Sequence, residues 1–530
     1  MPILIKNITV LDGSGADAYT SDILIEGDKI SGVGRGIAAP DARVIDGAGL
    51  CASPGFIDIH AHSEFSLLAE PAAPSKIMQG VTTEVSGNCG LSAAPMLGAT
   101  RTAREKDLAE LGLTIDWTDF HGFFGRMETA SPAINFATLC GHGNVRGSVM
   151  GYADRRPDAG EMSKMKALLD DAMEAGALGL STGLIYPPGV YSDTDEIVEL
   201  AKVAAKRGGI YASHMRSEGA RVVESVAETI DIGRRAGIPV QISHIKTSDP
   251  KNWGKVDDVI ATVERARADG LDVTADRYPY TASSTDLDAI LPAWAYEGGA
   301  AEELKRLNDP ATRARMRADI LRDHPDEAYW TNRVMVSSVV TEKNRHIEGM
   351  MLAGAAETLG LDPIDALFKI LIDEDVRAGA IFFGMSEDNL RKFLTRDWVM
   401  LGSDSTARAM GGVTRQGKPH PRGFGSFPRV LGKFVREERL LTLPQAVRKM
   451  SAMQADRLRL AGRGYIRPGY YADLVVFDPG IVADTATFED PYRFPAGIRH
   501  VIVNGELAVS DSVQTIARAG RVLKNAATAA

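Results

Sequence analysis

The chain has 530 residues, of which 44% are hydrophobic and 25% charged, with 53 glycines to serve turns. This is a folded globular composition, too long for one core, so a large domain plus a smaller one is expected. A net charge of −10 without a Lys/Arg stripe excludes a nucleic-acid surface, and three cysteines (Cys51, Cys89, Cys140) exclude a disulfide framework.

The N-terminal "MPILIKNITVLDG" alternates like a strand and lacks the apolar core and cleavage site of a signal peptide. No run approaches the roughly 20 apolar residues of a membrane span, and the expected compartment is the cytoplasm. Short strands with Asp-Gly and Asn-Gly turns fill residues 1–54 and return at 461–515 in "YADLVVFDP" and "IRHVIVNGELAVS". Neither end makes a sizeable sheet alone, so the two are expected to pair into one small β-sandwich. Residues 516–530 read as a tail whose Ala-rich end, "NAATAA", is frayed.

Residues 55–460 change rhythm. Eight apolar runs, "GFIDIHAH", "GVTTEVSG", "NFATLCGHG", "ALGLSTGL", "GGIYASHM", "IPVQISHI", "LDVTADRYPY" and "WVMLGSDS", alternate with amphipathic helices such as "EIVELAKVAAKRG". Strands alternating with helices imply a parallel sheet, and eight of them imply an α/β fold of the (β/α)8 TIM-barrel type. In that fold the chemistry collects at the C-terminal ends of the strands. The charged segment 286–345 interrupts the rhythm and is expected to form a lid.

Metal-competent side chains close five of these runs: His60 and His62, Cys89, His214, His244 and Asp404. A single strand-end histidine is more often structural than a ligand, and a single cysteine is usually a small buried hydrophobe. Here four of only ten histidines close separate strands or pair within one, as a barrel site requires. Imidazole, thiolate and carboxylate together suit Zn²⁺ with an open position for water. A bridging thiolate could hold two metal positions, and Asp404, on the last strand, could take a proton from the water.

With these motifs the sequence resembles the amidohydrolase superfamily. "TTEVSGNCG", "SHMRSE", "SHIK", "RYPY" and "HPRGFGSFPRV" resemble its D-aminoacylase (N-acyl-D-amino-acid deacylase) family over residues 1 to about 510. The resemblance implies a tightly held zinc on Cys89, His214 and His244. It implies a weaker second metal on His60, His62 and Asp404, with Cys89 shared. The fourth strand ends without the lysine that bridges metals in many amidohydrolases, in agreement with a Cys89 bridge.

The implied reaction is hydrolysis of N-acyl-D-amino acids to a carboxylate and a free D-amino acid, with Asp404 as proton shuttle. The resemblance matches Lys246, Tyr278 and Arg415 to carboxylate-binding positions and Tyr186 to a residue near the scissile carbonyl. The substrate side chain is expected to be neutral or apolar: up to Lys305 the lid offers Leu287, Ile290, Leu291 and Trp294, with Asp286 and Asp288 but no cation. The alternative on these residues is that they only anchor the lid. Other readings are a cyclic-amide hydrolase, a dipeptidase cleaving a D-residue, or a non-catalytic binding protein on the same scaffold. The expected partner is a small molecule, with neither nucleic acid nor membrane involved.

Overall fold

The computed structural model describes residues 1–525; the end of the expected tail, residues 526–530, lies outside the described residues. Both chain ends enter one nine-stranded sheet. Ile3–Val10 pairs antiparallel with Tyr19–Glu26 and parallel with Cys51–Pro54, and Cys51–Pro54 in turn pairs antiparallel with Leu474–Phe477. A register shift between Ile5 and Ile8, with Asn7 at φ +56°, bends the first strand. Apolar side chains from both ends, among them Ile5, Ile23, Leu474, Val476 and Ile502, close into one core. This is the β-sandwich built from the two termini.

The barrel strands are β1 (Phe56–Asp58), β2 (Val81–Ser86), β3 (Asn135–Thr138, continued by Cys140–Gly141), β4 (Gly179–Gly183), β5 (Ile210–His214), β6 (Val240–Ile242), β7 (Val273–Arg277) and β8 (Val399–Leu401). Each pairs in parallel with its neighbour, and a parallel bridge between Ala61 and Ser405 joins the first to the last. All eight coincide with the apolar runs of the sequence. Alternate residues turn inward: Ile57, Ile59, Ile210, Ala212 and Met400 pack inside, while Val81, Leu180 and Val273 join the core under the helices. Among the described residues no helix is long and apolar enough to cross a membrane, and all three cysteines are free and buried.

Between β7 and β8 the chain leaves the barrel. Strands Ala282–Asp286, Gly379–Phe383 and Val334–Ser338 form an antiparallel sheet, and helices including Ala300–Asn308, Pro310–Asp323 and Pro363–Asp373 cover it. This excursion has its own core around Leu287, Leu307, Ile320, Val336 and Phe368. It extends past 286–345 on both sides, because the flanking strands supply the sheet on which the charged helices rest. Residues 516–525 of the tail are fastened beside β3: Leu523 N–H donates to Phe136 O at 2.7 Å and Gly520 N–H to Pro132 O at 2.9 Å.

Candidate metal centre and substrate pocket

The barrel ends bring five of the six metal-competent side chains into direct contact. Cys89 Sγ lies 3.3 Å from His60 Nε2 and 3.5 Å from His244 Nε2. His60 Nε2 lies 3.5 Å from Asp404 Oδ1, and His62 Nε2 lies 3.1 Å from the same oxygen. One ligand atom each from His60, Cys89, His244 and Asp404 falls within 4.8 Å of the others. The sixth, His214, packs its ring 4.4 Å from that of His244.

Local backbone aims these groups. Cys89, His244 and Asp404 all have positive φ, +53°, +35° and +53°. Each such non-glycine position costs on the order of 1–3 kcal/mol, and the surrounding packing maintains it. Gly183 at the end of β4 makes room for the Cys89 turn, since a Cβ there would sit 2.1 Å from Cys89 O.

The electrostatics suit a cation. Burial opposes charge on Cys89, yet His60 and His244 beside it hold its thiol well below the ordinary range. Burial likewise opposes a carboxylate at Asp404, but Arg422, His244 and His60 outweigh it and keep the group ionised. The same anions hold protons on their neighbours. Against the effect of burial, Asp276, Cys89 and Asp404 keep His60 charged, and Asp404 and Cys89 lift His62 to about 9. Burial keeps His214 neutral, and both of its ring nitrogens are buried without a hydrogen-bond partner. Buried polar atoms are normally satisfied, so this neutral imidazole facing a thiolate is the donor a metal would complete. The donor set fits Zn²⁺.

Substrate-side residues divide. Lys246 Nζ lies 2.8 Å from His244 Nδ1 and is bonded to Glu218. Tyr186 packs its ring 4.9 Å from His214, and its oxygen accepts a hydrogen bond from Thr285 Oγ1 at 3.0 Å. Burial and Cys89 raise the Tyr186 pKa well above its ordinary value, so the phenol keeps its proton for donation. Tyr278 is fully buried behind Lys246 and Arg422, with its hydroxyl unpartnered.

Arg415 is not brought to this group. It is exposed and lies over the Tyr492 ring at 5.0 Å. The cation beside Asp404 is instead Arg422, 5% exposed, which donates to Asp404 Oδ2 at 2.8 Å and to Ser284 O at 3.2 Å. His420 sets that turn, bonding Ala282 O through Nε2 and accepting from Arg422 N–H through Nδ1.

Three further carboxylates escaped the sequence reading or were given no role in it. Asp276 holds His60 Nδ1 at 3.0 Å, Glu218 lies 2.9 Å from His244 Nδ1, and buried Asp58 pairs with Lys76 at 2.7 Å behind the His60 strand. Glu218 and Arg422 lie within the motifs "SHMRSE" and "HPRGFGSFPRV", and Asp276 immediately precedes "RYPY".

Above the cluster opens a cavity of about 1670 Å³ lined by barrel ends and by the excursion. Ile290 and Leu291 line it, whereas Leu287 belongs to the excursion's core and Trp294 bonds Asp319 at 2.9 Å. Arg277 does not line it either; it is buried and donates to Tyr280 O at 2.9 Å.

Comparison with known proteins agrees with this geometry. Residues 43–509 match the amidohydrolase family. The chain is 38% identical to an N-acyl-D-glutamate deacylase of Alcaligenes xylosoxydans xylosoxydans, over 100% of this chain and 98% of that protein. It is 36% identical to a D-aminoacylase of the same organism, over 99% and 98%. A crystal structure of N-acyl-D-glutamate deacylase from Bordetella bronchiseptica, complexed with zinc and a phosphonate mimic of the tetrahedral intermediate, superposes with a TM-score of 0.83 at 35% identity, covering 98% of this chain and 99% of that one.

Proposed function

The chain belongs to the amidohydrolase family, and from that premise we propose that it hydrolyses N-acyl-D-amino acids, with zinc, to a carboxylate and a free D-amino acid. One observation carries this reading: the quartet His60, Cys89, His244 and Asp404 is bordered directly by two buried cations, Lys246 and Arg422. A metal-competent cluster beside cations is what an amide carrying a free carboxylate requires.

Cys89, His214 and His244 would hold the tight metal, and His60, His62 and Asp404, with Cys89 shared, would hold a second, weaker one. Zinc supplies a Lewis acid for the acyl carbonyl and an acidified water. Asp404 takes the proton of the attacking water and returns it to the leaving nitrogen. Tyr186 donates its phenolic proton to the developing oxyanion. Lys246 and Arg422 hold the substrate carboxylate, with Tyr278 packed behind both; Arg415 has no part in this site. The lid wall from Asp286 to Leu304 contributes Ile290 and Leu291 to the cavity and no cation, which favours neutral or apolar side chains over acidic ones. The division into a sandwich (1–54 and 461–515) and a barrel (55–460), in the cytoplasm and without nucleic acid as partner, is part of the same reading.

The test is hydrolysis of paired N-acetyl-D- and N-acetyl-L-amino acids by the zinc-loaded chain. Turnover confined to the D series is expected. Equal turnover of both series, or of neither, overturns the assignment.

A further inference from the structure

One end of the cavity is short of positive charge. Asp286 ends its strand, Asp288 follows in the turn Leu287–Ile290, and Glu303 projects from helix Ala300–Asn308; all three line the cavity. Glu303 is 3% exposed, and its Oε1 is buried without a hydrogen-bond partner. The cations nearest to these groups are engaged elsewhere. Arg104 pairs with Asp107 at 3.1 Å, and Arg306 donates to the carbonyls of Ala295 and Glu297. Of the other lining cations, Lys246 pairs with Glu218, Arg422 with Asp404, Lys106 with Asp375, Arg216 with Glu228 and Arg377 with Glu110, while Arg333 lies over the Tyr329 ring, Arg408 donates to Thr414 O at 3.3 Å and Arg221 is exposed.

Unpaired carboxyls gathered on one wall are costly, and burial together with their mutual repulsion holds Asp288 above its ordinary range and Glu303 up to about 8. The wall also adjoins the reacting centre. Ser284 O accepts from Arg422 and Thr285 Oγ1 donates to Tyr186, so Asp286 is the next residue along a strand rising roughly 3.3 Å per residue. An extended basic chain anchored at the carboxylate-binding pair spans that interval.

We propose that Asp286, Asp288 and Glu303 form a subsite for a cationic group, an ammonium or guanidinium, at the far end of the substrate. The inference rests on the deacylase reading and adds a substrate class to it. The cation is carried by the D-amino-acid side chain or by the acyl group, and both sources present the same chemistry to the wall.

The test compares charged and neutral partners of equal length on the zinc-loaded full chain. One arm sets N-acetyl-D-arginine against N-acetyl-D-citrulline; the other sets N-(6-aminohexanoyl)-D-leucine against N-heptanoyl-D-leucine. A tenfold or greater advantage in kcat/KM is expected for the cationic member of one arm, falling below threefold in Glu303→Gln or Asp288→Asn. Calorimetry with the hydrolysis-resistant N-methanesulfonyl-D-arginine and -citrulline, and with 5-aminopentanesulfonyl- and hexanesulfonyl-D-leucine, gives the same comparison without turnover. Turnover of N-acetyl-D-leucine without a cationic advantage in either arm overturns the subsite alone. Cationic preference in binding with no turnover of any N-acyl-D-amino acid overturns the reaction and keeps the subsite. A preference that survives both substitutions overturns the assignment to these residues.

Discussion

Asp276 Oδ1 lies 3.0 Å from His60 Nδ1, and the same oxygen accepts the backbone N–H of His244 at 2.9 Å. One buried carboxylate therefore fixes the tautomer of one candidate ligand and the turn of another. Gln241 bonds its second oxygen at 2.9 Å, so Asp276 cannot rotate freely. Such partners of metal-bound histidines are typically worth 10–100-fold in metal affinity. Asp276→Ala is expected to weaken zinc binding by about that factor, read by competition with a chelating dye. Unchanged affinity would show that His60 needs no support.

Cys89 is the only sulfur in the cluster and touches two of its histidines. Cys89→Ala is expected to remove the tightly held zinc and nearly all turnover. Retention of one zinc per chain with normal activity would take the thiolate out of the site.

The strand-end ligands were legible because two rules act together: alternation puts His60 and His62 on the same side of their strand, and a barrel gathers strand ends at one rim. Glu218 lay inside a named motif and Asp276 beside another, but their roles depend on which histidine they face, and that is fixed only by strand neighbours far apart in sequence. Arg422 was illegible for another reason. Residues 405–421 form a loop, where distance along the chain from Asp404 does not determine where the chain returns. The return is set by His420 bonding to Ala282 O, a contact made with the excursion.

The two arginines can be separated experimentally. Arg415 is exposed and Arg422 is buried against Asp404. Truncating one member of a buried ion pair costs roughly 2–5 kcal/mol, so Arg422→Met is expected to lower kcat/KM by about 30-fold or more. Arg415→Ala, a surface change, is expected to stay within about twofold. The reverse ranking in steady-state kinetics would restore Arg415 to the carboxylate site.

Asp404 tests the chemistry apart from binding. Asn at this position keeps an oxygen for Arg422, turns its amide NH2 towards His62 and cannot carry the proton. Asp404→Asn is expected to lower kcat by about 10²–10⁴-fold with a smaller change in KM. Near-normal kcat would mean that another residue is the base.

Glu84 supplies a pH dependence away from the ligands themselves. It is fully buried, bonded to Ser63 and Ser86 and 3.6 Å from Lys76, whose closer partner is Asp58 at 2.7 Å. Burial raises its pKa to about 7, Lys76 opposing and Asp58 adding to the rise. Unfolded, the same carboxyl titrates near 4.3. Between these values the folded chain holds one proton more than the unfolded chain. The stabilisation is therefore complete in acid below the unfolded value and is lost as pH rises through about 7, a swing of up to about 4 kcal/mol. Glu84→Gln removes this titration and leaves Lys76 paired with Asp58. Urea unfolding of both proteins at pH 5 and pH 8 should show the variant gaining on the parent by about 1–3 kcal/mol as pH rises. A difference that does not change with pH would mean that Glu84 is ionised throughout, with Lys76 compensating for burial.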